Sequence, residues 1–237
     1  MKVLGSLVLV PNLLGAGAPE DVLPARTLAS ARAIEHWVVE TPKAARAFLK
    51  AIAHPRPIAS LSIDALSERP DAATLAKLLA PARQGHAVGV LSDAGAPAVA
   101  DPGATLVAAA HAAGIAVVPL VGPSSILLAL MASGLSGQSF AFHGYLPVRE
   151  DERAKRLSEL EADSRAHART QAFIETPFRN AAMLATLCET LAPRTRLCVA
   201  VDLTLATESI ATRPVAQWRG VDGAAYHKRP AIFLLQA

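Results

Sequence analysis

Apolar residues in this chain come in short bursts rather than long stretches. Leu7–Val10, Trp37–Val39, Ala87–Leu91 and Ile115–Leu120 are each almost unbroken apolar runs, the pattern of strands buried on both faces. Segments of helical character, such as Asp71–Leu79 and Ala104–Ala113, separate them. The alternation predicts βαβ units around a mostly parallel sheet. After Gly137 the texture changes. Phe140–Phe142, Thr170–Ile174, Leu197–Val201 and Ile232–Leu235 read as strands, and the highly charged Glu152–Glu161 together with Asn180–Leu191 read as helices. Pro119 and Gly122–Pro123 break the backbone between the halves. The expectation is an α/β protein of two α/β domains in series, residues 1–120 and 121–237, with a ligand cleft where they meet.

The uncharged stretch Ile115–Leu135 is long enough to span a bilayer. Pro119, Gly122–Pro123 and Ser124–Ser125 cut it into a strand, a tight loop and a buried helix, so no membrane segment is expected. Met1–Val10 lacks the charged start, long apolar run and cleavage site of a secretory signal, which points to a cytoplasmic location. The 237 residues are 52% hydrophobic, enough to build packed cores and to exclude a disordered chain. Net charge is +3, and the basic clusters Arg153–Lys155–Arg156 and His227–Lys228–Arg229 are either phosphate contacts or solvated surface. This balance permits a nucleic-acid substrate without arguing for one. Cys188 and Cys198 cannot staple a chain of this size and are expected as buried thiols. The histidines show no ligand-like spacing with cysteine or carboxylates, so no metal site is expected.

Three loops carry candidate chemistry. Gly15-Ala16-Gly17 follows the first strand, and Glu40 closes the next, as in a dinucleotide fingerprint. Pro11–Leu14 intervene, however, the third glycine is missing, and Pro19 stands where the helix should start. The second loop, Ser92-Asp93-Ala94-Gly95-Ala96-Pro97-Ala98-Val99-Ala100-Asp101-Pro102-Gly103, lies between an apolar strand and a helix. Its small residues allow close approach to the main chain, and its prolines stiffen it. In the third, Ser124 or Ser125 is a natural N-cap for the apolar helix Ile126–Met131, where free amides favour an anionic group.

Asp93–Pro97 with Asp101-Pro102-Gly103, followed by Val118–Ser124, resembles the tetrapyrrole-methylase superfamily. Within it the chain looks like the branch of small-subunit ribosomal RNA 2′-O-methyltransferases I. Ser133-Gly134-Leu135, Gly144–Pro147, Ile174–Arg179, and Leu203-Thr204 with Glu208 extend the likeness in order along the chain. The resemblance implies a methyltransferase that holds S-adenosylmethionine between two domains, usually as a homodimer. Carried over by position, Pro11, Asp93, Gly95, Ala96, Val99, Ser124 and Ser125 would contact the cofactor from the first loops. Thr176, Pro177, Phe178, Leu203, Pro230 and Ala231 would contact it from the second domain.

The departures concern the methyl acceptor. The ribosomal pattern has a Pro-Ile-Gly-Asn-Leu-type loop where this chain has Pro11-Asn12-Leu13-Leu14 and an insertion. Glu40-Thr41-Pro42-Lys43 replaces Glu-Asp-Thr-Arg, and Val201 and Leu205 stand where the family is basic. Arg and Lys in a cleft are what an RNA backbone needs. A shorter branch with Glu-Thr-Pro-(Phe/Tyr)-Arg-Asn and His-Lys-Arg-Pro segments, here Glu175–Asn180 and His227–Pro230, is nearer. A hydroxyl or amide nucleophile would benefit from a base, for which Glu40, Asp93, Asp101, Glu175 and Asp202 are the candidates. Three readings follow: a methyltransferase acting on RNA or a small metabolite such as a tetrapyrrole, an NAD-dependent oxidoreductase built on Gly15–Gly17, and a non-catalytic cofactor-binding protein.

Overall fold

The apolar runs of the first half are unbroken because their sheet is covered on both sides. The computed structural model describes residues 4–237, and the chain divides into two compact units, residues 1–124 and 125–237. In chain order the first unit contains β1 (Ser6–Leu9), α1 (Pro19–Val22), α2 (Ala25–Arg32), β2 (His36–Val39), α3 (Pro42–Ala51) and β3 (Ser62–Ala65). It continues with α4 (Ala72–Leu78), α5 (Ala80–Arg83), β4 (Ala87–Leu91), α6 (Ala104–Ala112) and β5 (Ala116–Pro119).

The strands form a parallel five-stranded sheet in the order β3-β2-β4-β1-β5. Alternate residues serve opposite faces. Val8, Trp37 and Val39 pack with Leu28 and Ala31 of α2 and with Phe48 and Leu49 of α3. Leu7, Val38, Val88 and Val90 pack with Leu78, Ala82 of α5, and Leu106 and Ala110 of α6. The fully buried Trp37 meets its polar requirement locally, donating Nε1–H to Ile34 O at 3.1 Å. Because the strands are parallel, the loops following β1, β2, β4 and β5 all emerge at one end of the sheet.

The second unit contains α7 (Ser125–Ser133), β6 (Phe140–Tyr145), α8 (Glu150–His167), β7 (Thr170–Glu175), α9 (Asn180–Thr190), β8 (Arg196–Val201), β9 (Ser209–Pro214) and β10 (Ala231–Gln236). Its sheet is mixed, in the order β6-β7-β10-β8-β9, with only β6 and β7 parallel. Phe173 and Phe233 face each other across β7 and β10, stacked at 5.8 Å between ring centroids. They share one core with Leu157 and Leu160 of α8 and with Leu184 and Leu187 of α9. On the other side α7 packs against β9 and β10.

Two strands, β3 and β9, carry no continuous apolar run in the sequence. Both lie at an edge of their sheet, where one row of backbone groups and much of the side-chain surface stay near water. The apolar run Ile115–Leu120 departs from expectation in the opposite sense. Its strand β5 is also an edge strand, and Val118 is exposed. Among the described residues no helix is long and apolar enough to cross a membrane.

Candidate functional site

Strands β1 and β4 are neighbours, yet their onward connections run in opposite directions across the sheet, β1 toward β2 and β4 toward β5. Open α/β sheets bind ligands at such a reversal, beyond the carboxyl ends of the strands. Asn12 fastens the two loops together there. Its N–H donates to Gly95 O at 2.8 Å, and the Gly95 N–H donates to Asn12 O at 3.2 Å. The buried side chain also donates Nδ2–H to Ser92 O and Asp93 O, each at 3.0 Å.

Gly95 adopts φ +67°, and a Cβ on it would stand 3.2 Å from Leu14 Cδ2 and 3.8 Å from Pro123 O. The loops after β4 and β5 therefore meet, as the motifs require. At Gly122 a Cβ would lie 2.4 Å from Pro11 Cβ, so only glycine lets this loop pass the end of β1. Thr27 Oγ1–H donates to Val121 O at 2.7 Å and anchors that loop from α2. At this junction Pro11, Gly95 and Pro123 are buried, and the loops pack closely there because Gly95 and Gly122 carry no side chain. Val99 and Val121 remain exposed at its margin.

Three carboxylates cluster at this end of the sheet. Glu40 Oε2 accepts the Asp93 N–H at 2.9 Å. The Asp93 carboxylate accepts from Thr41 N–H at 3.1 Å and from Thr41 Oγ1–H at 2.9 Å, and Thr41 caps α3. Glu40 and Asp93 thus shape the loop. Asp101 differs: burial foremost, then the charge of Glu40, pushes its carboxyl up to about 6, against a lowering hydrogen bond from Ser92, with Asp93 adding a smaller rise. A pocket of about 310 Å³ opens beside Asn12 and Asp93, walled by Leu13 and Leu14 of the inserted stretch and by Ala47 and Phe48 of α3.

In the second unit the strand register gathers the remaining candidates. Ala231 is paired with Glu175 on one side and Val201 on the other, which aligns the ends of β7, β10 and β8. Asp202 N–H donates to Pro230 O at 2.9 Å, and Lys228 N–H donates to Pro177 O at 3.0 Å. Thr176–Phe178, Leu203 and Pro230–Ala231 thereby form one cluster, and Phe178 is exposed on it. Its carboxylates are occupied. Glu175 pairs with Arg179 at 2.9 Å and accepts the Thr176 N–H, while Asp202 accepts from Arg229 Nε–H at 2.7 Å and from Thr207 Oγ1–H at 2.8 Å. Ser125 opens α7. Among the described residues no hydrogen bond ties it to this cluster.

Backbone strain marks the same segments. Seven described non-glycine residues have positive φ, and two of them, Ala53 and Ala168, merely end α3 and α8. The others are Ala98 (67°), Ala100 (65°), Asp202 (51°), Thr204 (72°) and Lys228 (60°), all in or beside the candidate ligand segments. Strain persists where surrounding structure holds it, and such places concentrate at binding sites.

Gly15–Ala18 are exposed and lead into α1, a single turn. That is not the strand–glycine–helix junction of a dinucleotide fingerprint. Several functional contacts escape sequence reasoning. Asn12, Thr41 and Arg229 act through partners 27 to 81 positions away, and only the break after the first strand hints at Asn12's role. No group of three or more His, Cys, Asp or Glu that could hold a metal is found among the described residues.

Comparison with known proteins adds an independent line. The family model for tetrapyrrole (corrin/porphyrin) methylases matches residues 14–218. A ribosomal RNA small subunit methyltransferase I of Mesorhizobium japonicum is 41% identical over 136 residues, 57% of this chain and 45% of the relative. The Vibrio cholerae protein of the same name is 38% identical over 133 residues, 56% of this chain and again 45% of the relative. The chain thus matches less than half the length of these relatives. A crystal structure of the methyltransferase CobJ shares the fold, with TM-score 0.64 and 20% identity, covering 98% of this chain and 94% of the other.

Proposed function

The chain belongs to the tetrapyrrole (corrin/porphyrin) methylase family, and from that premise we propose that it is an S-adenosylmethionine-dependent methyltransferase. The observation that carries this reading is the main-chain junction at the sheet reversal, where Asn12 bridges Gly95 and Gly122 passes Pro11. Pro11, Asp93, Gly95, Ala96, Val99, Ser124 and Ser125 are assigned to the cofactor from this side. Thr176–Phe178, Leu203 and Pro230–Ala231 are assigned to it from the second unit. The residues present fit the group. Glycine at 95 takes the left-handed backbone the loop needs, glycine at 122 lets its loop pass Pro11, and the Asn12 bonds hold the loops in place without the ligand.

When bound, S-adenosylmethionine supplies a methyl group made electrophilic by the adjacent sulfonium. The protein's own task is alignment: rigid loops hold the acceptor's nucleophilic atom in line and exclude competing poses. Of the five carboxylates, Asp101 is best suited to take a proton, because burial and the charge of Glu40 push its carboxyl up to about 6 and, among the described residues, no cation pairs with it. The acceptor is RNA or a small metabolite. The pocket beside Leu13 and Leu14 lies where the chain departs from the ribosomal pattern, which favours an acceptor other than that of the ribosomal enzymes. A cytoplasmic homodimer completes the reading.

Titrating the purified protein with S-adenosylmethionine, S-adenosylhomocysteine and NAD tests this. Binding of the first two and not the third is expected; binding of NAD alone would replace the methyltransferase with an oxidoreductase.

A further inference from the structure

Among the described residues, the three buried side-chain atoms without a hydrogen-bond partner are Glu175 Oε2, Arg179 Nη2 and Asn180 Oδ1. All lie in the single segment Glu175–Asn180. The first two face each other as an ion pair at 2.9 Å, off the line of a hydrogen bond. Asn180 is different. It is fully buried at the start of α9, and both its donations leave the helix. Nδ2–H groups donate to Tyr226 O at 3.0 Å and Arg229 O at 2.7 Å. One amide thus spans the turn that contains Lys228 at φ +60°.

We propose that Asn180 is a positioning residue for the cofactor, acting by clamping the 226–229 turn so that Pro230–Ala231 stays aligned with Thr176–Phe178. The inference rests on the methyltransferase reading. The geometry is specific to an amide with two N–H groups. Serine has one donor, and aspartate, of the same shape, would set a negative oxygen against two carbonyl oxygens. A left-handed Lys228 needs such an external hold, since an L side chain is disfavoured in that conformation. The Lys228 N–H bond to Pro177 O and the Arg229–Asp202 pair extend the hold to the ends of β7 and β8. Asn180 therefore touches no ligand itself but fixes the three chain segments assigned to one.

Asn180→Ala and Asn180→Asp are to be compared with the wild type by calorimetric titration with S-adenosylhomocysteine, well below each protein's Tm. A control, Thr186→Val on the same helix, removes the hydroxyl that accepts from the buried Arg153 of α8 and destabilises the unit away from the turn. The expected result is affinity lowered tenfold or more by alanine, further by aspartate, and unchanged in the control despite its lower Tm. Hydrogen exchange without ligand should show lost protection confined to 226–231 in the alanine variant. Should Asn180→Ala not fold, Asn180→Gln, which moves the amide by one methylene, carries the same expectation. Wild-type affinity in the position-180 variants would overturn the inference. No binding by the wild type would overturn the methyltransferase reading, and this inference with it.

Discussion

The two sets of candidate ligand segments are built on opposite electrostatic plans. In the first unit, Glu40 and Asp93 are held by neutral donors, the amide of residue 93 and the amide and hydroxyl of Thr41. In the second, Glu175 and Asp202 each face an arginine. These pairs tie each carboxylate to a neighbouring stretch of backbone. Among the described residues no arginine or lysine pairs with Glu40 or Asp93, and beside them burial foremost, then the charge of Glu40, raises Asp101. We propose that the first unit carries the chemistry and the second the rigid positioning.

Breaking the lock should have the largest effect on stability. Asp202→Ala leaves Arg229 without its partner and removes a side chain that Thr207 also uses. Unfolding in denaturant should show a loss of about 3 kcal/mol, the lower end for a broken buried pair because Arg229 is partly exposed. Next comes Gly122→Ala. Its Cβ meets Pro11, and the strain should cost about 2 kcal/mol and weaken S-adenosylmethionine binding together with stability.

Asp101 sharpens the contrast because stability and activity should respond in opposite directions. The fold favours its protonated form, so its stabilising contribution is present below the ordinary value of 3.8 and is lost as pH rises through about 6. Asp101→Asn should therefore be more stable than the wild type at pH 7, by about 1 kcal/mol after screening at a half-exposed site, with the gain vanishing below pH 4. Methyl transfer should meanwhile fall by about 10²-fold or more, and the wild-type rate should climb through pH 6. A smaller effect is expected from Thr41→Val. It removes one hydroxyl bond to Asp93 and the α3 cap, at about 1 kcal/mol measured by thermal unfolding.

Much of this architecture was legible from residue order. Leu7–Val10 and Ala87–Leu91 announce central strands because parallel strands covered on both faces need unbroken apolar runs. β3 and β9 stayed hidden because edge strands relax that demand. The glycine-bearing loops could be found from their motifs, since Gly95 and Gly122 are required by local backbone and contact geometry. What joins the loops was not legible: Asn12 to Asp93, Thr41 to Asp93 and Asn180 to Arg229 are hydrogen bonds between residues far apart in sequence, made by types equally common on surfaces. Nor does a row of separate carboxylates reveal which of them burial and neighbouring charge will perturb. That depends on Glu40 and Asp93 meeting Asp101 in space.

The most direct test is a single pair of calorimetric titrations with S-adenosylmethionine, one on the wild type and one on Gly95→Val. Position 95 has a left-handed backbone beside Leu14 and Pro123, so valine both strains the loop and presses on Leu14, displacing the main chain assigned to the cofactor. The prediction is clear binding by the wild type and at least a hundredfold loss in a variant that remains folded by circular dichroism. Equal affinity in the two proteins would place the ligand elsewhere and contradict the account.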